Sequence, residues 1–188
     1  MTAVWLLPVV TVIVASSSGG VLSHALEDVS PSHALFTVTF SAFLVTIGIS
    51  LATMMLTIYL LRLIIYGLPP TATIISVFLP LGPTGQAGFS ILLIGQSYKA
   101  LLPVDNVNSI GSNPSTTGEI VHIVCICLAF VLWSFATMWL LYALLAVLDV
   151  LRSARVPFKV PFWGLIFPNV CRNLTSICYR LFPHAELF

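Results

Sequence analysis

Ser16, Ser17 and Ser18 stand in a row before Gly19 and Gly20, and Gln86 is the one amide in the stretch Pro80-Leu81-Gly82-Pro83-Thr84-Gly85-Gln86-Ala87-Gly88. Hydroxyl and carboxamide groups can donate hydrogen bonds to an anion without a cation beside them. Serines next to glycines also serve close helix packing in lipid, their commoner use. Proline adds a second route to the same chemistry. Pro8, Pro80, Pro83, Pro161 and Pro168 each free a carbonyl or bend a helix, and unpaired N–H groups and helix N-termini attract negative charge. Membrane helices also tolerate proline for packing alone. The Pro80 to Gly88 stretch reads as pathway lining in preference to packing; for Pro8 both readings stand. Gly82, Gly85 and Gly88 do not make a nucleotide loop, because the Lys-Ser/Thr ending is missing and no strand precedes them.

Other reactive side chains read as structure. Glu119 and His122 could relay protons, but a helix end near water is an ordinary place for both. Trp133, Trp139, Tyr142 and Trp163 suit interface anchoring and helix packing better than a cation cage. Cys125 and Cys127 are two apart and point to different faces of a helix, and with Cys171 and Cys178 they lie in apolar segments, so neither a metal site nor a disulfide framework is expected. Asn173-Leu174-Thr175 matches the glycosylation pattern but falls inside an expected helix.

The elements that must position these residues are membrane helices. Of 188 residues, 59% are hydrophobic and 7% charged, and seven Lys/Arg plus six Asp/Glu cannot cover a soluble globule of this size. A net charge of +1 without a basic stripe argues against nucleic acid as a partner. The bilayer is the expected solvent. Apolar runs predict about five spans, near 4–22, 34–65, 74–102, 120–147 and 158–182. The first run carries no Lys or Arg ahead of it, which argues against a signal peptide. The second would rise ~48 Å as a helix and must tilt or project. The third is expected to break at 80–88, where two prolines and three glycines read as incompatible with a regular helix. Such a break at membrane depth is tolerated where protein or a water-filled cavity satisfies the backbone.

Lysine and arginine set the orientation. Arg62, Arg152, Arg155 and Lys159 fall in the second and fourth loops, against Lys99 near the third, so these two loops and the N-terminus are expected in the cytoplasm.

Three segments then resemble a known family. They are Trp5 to Gly20 (WLLPVVTVIVASSSGG), Thr57 to Gln96 (TIYLLRLIIYGLPPTATIISVFLPLGPTGQAGFSILLIGQ) and Phe158 to Pro168 (FKVPFWGLIFP). Together they resemble the tellurite-resistance and dicarboxylate transporters, and within them the fungal sulfite efflux pump branch. The resemblance runs over about residues 2 to 169. It implies an all-α polytopic fold of ten helices in five hairpins, the first helix of each hairpin lining a central anion pore. This chain would supply helices five to nine as a single partial domain over residues 1–188, with its first, third and fifth runs on the inner ring. It also implies a phenylalanine gate, at Phe158 or failing that Phe162, and pore lining by Pro8, Ser16, Ser17, Pro80, Gly82, Pro83, Gly85, Gln86 and Gly88. The expected activity is efflux of sulfite or a similar small anion across the plasma membrane, with no bond broken, no cofactor, and a homotrimeric habit.

After Asn169 the pattern changes. Arg172 and Arg180 enter what should be a ninth helix, and a charge at mid-membrane costs at least ~2.5 kcal/mol on insertion scales. The tail therefore reads as an altered chain end, and half a ring as unable to transport alone. Rival readings are a dicarboxylate carrier or anion channel of the same fold, a non-transporting truncated product and, least supported, a membrane enzyme, for which no nucleophile with a base is evident.

Overall fold

A computed structural model of the protein describes residues 6–67, 71–102, 114–153 and 166–181. The described chain is helical throughout: α1 (Leu7–Leu26), α2 (Pro31–Tyr66), a 3₁₀ helix (Thr71–Phe78), α3 (Leu81–Leu101), α4 (Pro114–Ser153) and α5 (Ile166–Leu181). Prolines open α1 and α2 within their first two positions, where a missing N–H costs no hydrogen bond. Gly67 closes α2 at a φ of 72°, a backbone setting that favours glycine, while its N–H caps the Leu63 carbonyl at 3.0 Å.

The expected break at 80–88 is corrected. The chain turns at Leu79 and Pro80, between the 3₁₀ helix and α3, and Leu81 to Gly88 form the first turns of a regular helix. Pro80 is the N-cap and Pro83 lies in the first turn, where N–H groups have no partner within the helix. Both prolines thus start a helix rather than interrupt one. Among the described residues, four helical stretches are long and apolar enough to cross a membrane: Leu7–Leu26, Pro31–Tyr66, Ser76–Leu101 and Thr117–Val150. The fifth expected run is represented by α5, whose 16 residues would rise only ~24 Å; residues 158–165 lie outside the described residues. At 36 and 40 residues, α2 and α4 exceed a ~30 Å hydrocarbon core, so they tilt or project.

Successive helices pair as antiparallel hairpins. Along α1 and α2, Ile13 packs where Gly48 leaves room and Ser16 meets Ser41; along α3 and α4, Lys99 lies beside Gly118 and Gly95 beside Cys125. Between them α3 is central, buried continuously from Leu81 to Gly88 and packed on α1, α2, α4 and α5. Val9 and Ile13 of α1, Val38 and Val45 of α2, Ala87, Ile91 and Leu92 of α3 and Ala129 of α4 make one core. The outer faces of α2 and α4 are apolar and exposed, with Phe36, Phe40, Phe43, Ile123, Phe130 and Leu145 among their side chains, as lipid-facing surfaces require.

Candidate functional site

Among the described candidates, Ser16, Ser17 and Gln86 meet in a buried polar seam between α1 and α3. The two helices run parallel. Ser16 pairs with Ser90 at 2.7 Å and Ser23 with Ser97 at 2.9 Å, a step of seven residues on both helices. Gln86 Nε2 donates to Ser17 Oγ at 2.6 Å. Gly20 allows the approach, since a Cβ there would lie 3.1 Å from the Leu93 Cβ.

Each hydroxyl has a single proton, which fixes the direction of these bonds. Ser16 Oγ donates to the Ser41 carbonyl at 2.7 Å, Ser17 Oγ to the Val14 carbonyl at 2.9 Å and Ser23 Oγ to the Gly20 carbonyl at 2.7 Å. Ser90 and Ser97 must therefore donate to Ser16 and Ser23. Every serine of α1 in the seam gives its proton to backbone and accepts one from α3. In this state none has a proton left for an anion; to donate, a hydroxyl must rotate off its carbonyl. Ser18 donates to the Val14 carbonyl at 3.1 Å as well, from an exposed position.

The other candidates are distributed differently. Pro8 is exposed on α1, and its carbonyl accepts a 2.6 Å bond from Thr11 Oγ1. Pro80, Gly82, Pro83, Gly85 and Gly88 are all buried at the head of α3. Gly85 and Gly88 face α5: the Gly85 carbonyl accepts a 2.9 Å bond from the fully buried Thr175, and a Cβ at Gly88 would lie 3.4 Å from the Thr175 methyl. Phe158, Phe162 and Pro161 lie outside the described residues. Among the described residues no three His, Cys, Asp or Glu side chains come together as a metal site would need. The arrangement offers hydrogen bonds and helix ends to a ligand.

The chain matches the sequence profile of the voltage-dependent anion channels over residues 1–186. It belongs to the voltage-dependent anion channel family. The match takes in the residues after Asn169, including all of α5. Among relatives, a sulfite efflux pump of Arthroderma benhamiae is 34% identical over 169 residues, which are 89% of this chain and 42% of the pump. A sulfite efflux pump of Candida albicans is 40% identical over 105 residues, 55% of this chain and 21% of the pump. An uncharacterized transporter of Methanocaldococcus jannaschii is 26% identical over 179 residues, 95% of this chain and 46% of that protein. The chain thus spans less than half the length of these family members. No solved structure shows significant similarity.

Sequence reasoning singled out Ser16, Ser17 and Gln86 but not their seam partners Ser23, Ser90 and Ser97. The signal was there in the shared seven-residue step, which only has meaning once α1 and α3 are known to lie parallel. A prediction follows for the seam. Ser16→Ala strands the Ser90 proton as well as removing a donor, whereas Ser90→Ala removes only one bond. In thermal unfolding of the detergent-solubilised protein, Ser16→Ala should lower stability by about 1 kcal/mol and Ser90→Ala by about half of that, with the double variant less than additive.

Proposed function

We propose that this protein exports sulfite, or a small anion of similar size and charge, across the plasma membrane. The observation that carries the reading is the 34% identity with a sulfite efflux pump along 89% of the chain. The physical chemistry supports it. The seam is polar without being charged, so it can hold an anion weakly enough to release it. The head of α3 adds the positive end of a helix dipole at Leu81 to Thr84. In this reading α1, α3 and α5 face the pathway, hydroxyl rotation at Ser16 and Ser17 and the Gln86 amide serve the passing anion, and Phe158 or Phe162 closes it. A homotrimer is the expected assembly, and no covalent step is involved.

The test is tolerance. Expression of the full-length parent gene that carries this sequence, in a cell that lacks its own sulfite exporter, should restore growth on sulfite and raise sulfite efflux. Unchanged sensitivity with the protein present at the cell surface overturns the sulfite reading, and efflux of malate in place of sulfite would give the dicarboxylate reading instead.

A further inference from the structure

Arg172 is out of place for a membrane helix. Among the described residues, Arg62, Lys99 and Arg152 lie near helix ends, where a long cationic side chain can reach water. Arg172 lies inside α5, and three registers give its depth. Its guanidinium carbon sits 5.6 Å from the ring centroid of Trp133, the twentieth of the 40 residues of α4. Thr175, one turn further along α5, donates to the Gly85 carbonyl. The neighbour of Gly85, Gln86, donates to Ser17, the eleventh of the 20 residues of α1. Arg172 is therefore level with the midpoints of two membrane-spanning helices.

A closed set of hydrogen bonds holds it there. Arg172 Nε donates to Thr137 Oγ1 at 3.4 Å, and Thr137 donates to the Trp133 carbonyl at 2.9 Å. In return, Trp133 Nε1 donates to Ser176 Oγ at 2.8 Å, and Ser176 donates to the Arg172 carbonyl at 3.1 Å. This clasp fixes one N–H and one face of the guanidinium. It leaves the terminal Nη groups with no protein acceptor among the described residues. Among the described residues no acid pairs with it, and the ion pair they do form joins His24 to Glu27. Along α4, Glu119 and Asp149 lie 14 and 16 residues from Trp133, roughly 21 and 24 Å away.

A guanidinium holds its charge where a lysine can shed it, and its planar fork matches an oxyanion bidentately. We propose that Arg172 is an anion-binding residue, whose Nη groups present a fixed mid-membrane cation to a small anion at the α4–α5 seam. The inference deepens the anion-export reading and rests on it for the identity of the anion. Neutralisation of Arg172 by that anion accounts for a charge that the helices around it leave without an acid.

Trp133 is a built-in reporter. Iodide and caesium both quench indole fluorescence on contact and differ in sign. In the purified full chain in liposomes, the part of the signal lost in Trp133→Phe should be quenched by iodide and hardly by caesium. In Arg172→Gln the iodide quenching constant should fall by about tenfold, the loss of one charge-assisted contact, with Arg172→Lys between the two because lysine supplies a charge without the planar fork. Sulfite transport should show the same pattern, with KM raised about tenfold in Arg172→Gln and kcat within about twofold. If Arg172→Gln fails to fold, the parent alone decides: equal quenching of Trp133 by the two ions, or none by iodide, overturns the proposal. Sulfite transport unaffected by Arg172→Gln overturns it and leaves sulfite export standing. An Arg172-dependent iodide signal in a protein that moves no sulfite keeps it and removes the sulfite reading.

Discussion

Trp139→Ala is expected to be the most damaging truncation in the described chain, lowering stability by about 3–5 kcal/mol and the unfolding midpoint by roughly 10 °C. Trp139 is 1% exposed and sits where four elements converge. Its ring lies 6.1 Å from Tyr59 of α2, and edge-on to Phe135 and Tyr142 of its own helix at 6.4 and 6.2 Å. Leu6 ahead of α1, Leu56 of α2 and Leu79 at the bend before α3 complete the cluster. Lipid offers an apolar side chain as good a solvent as a neighbouring helix, so what Trp139 supplies is dispersion contact and shape, which an alanine cavity forfeits. The indole N–H has no acceptor among the described residues. Trp139→Phe removes that unpaired donor while keeping a ring, and should cost less than about 1.5 kcal/mol. The two variants separate packing from polarity in a thermal unfolding assay. Equal losses in both would show that the N–H, and not the ring volume, is what the site uses.

The helices were legible in the sequence because apolar run length and the absence of charge decide them, whatever the packing. Their interruptions were not. Pro80, Pro83 and three nearby glycines look like a break by composition, yet a proline at the N-cap and another in the first turn are also how a helix begins. The deciding fact is the 3₁₀ segment Thr71–Phe78, which carries the preceding apolar residues and places the turn at Leu79 and Pro80. Arg172 shows a second limit. Its cost in lipid can be read from the sequence, but the clasp to Trp133 and Thr137, 39 and 35 residues earlier, depends on α5 lying across α4. A local rule therefore marked α5 as aberrant. The tertiary contacts, and a family match that runs to residue 186, show it to be part of the fold.

The same distinction between local composition and tertiary approach sets the second large effect, at Gly95. It is one glycine of several in α3, and nothing in the sequence ranks it above Gly88. A Cβ at Gly95 would lie 2.7 Å from the Cβ of Cys125 on α4, and 3.3 Å from its sulfur. Both carbons are fixed to backbone, so no rotamer relieves the clash, and α3 and α4 must part. Gly95→Ala should then cost about 1–3 kcal/mol despite alanine's better helix propensity, and Gly95→Leu more. A double-variant experiment isolates the cause. Cys125→Ala removes the sulfur and keeps the Cβ, so it should leave Gly95→Ala unrescued, whereas Cys125→Gly removes the Cβ and should recover most of the loss, less about 1 kcal/mol for a glycine inside α4. Rescue by Cys125→Ala would place the conflict at the sulfur and refute this account. Gly88→Ala meets Thr175 at an ordinary 3.4 Å and should leave stability within about 1 kcal/mol of the parent. That makes Gly88 the cleaner probe of transport: a change in sulfite flux in Gly88→Ala at unchanged stability locates the head of α3 on the anion's path, because the fold itself has absorbed the methyl.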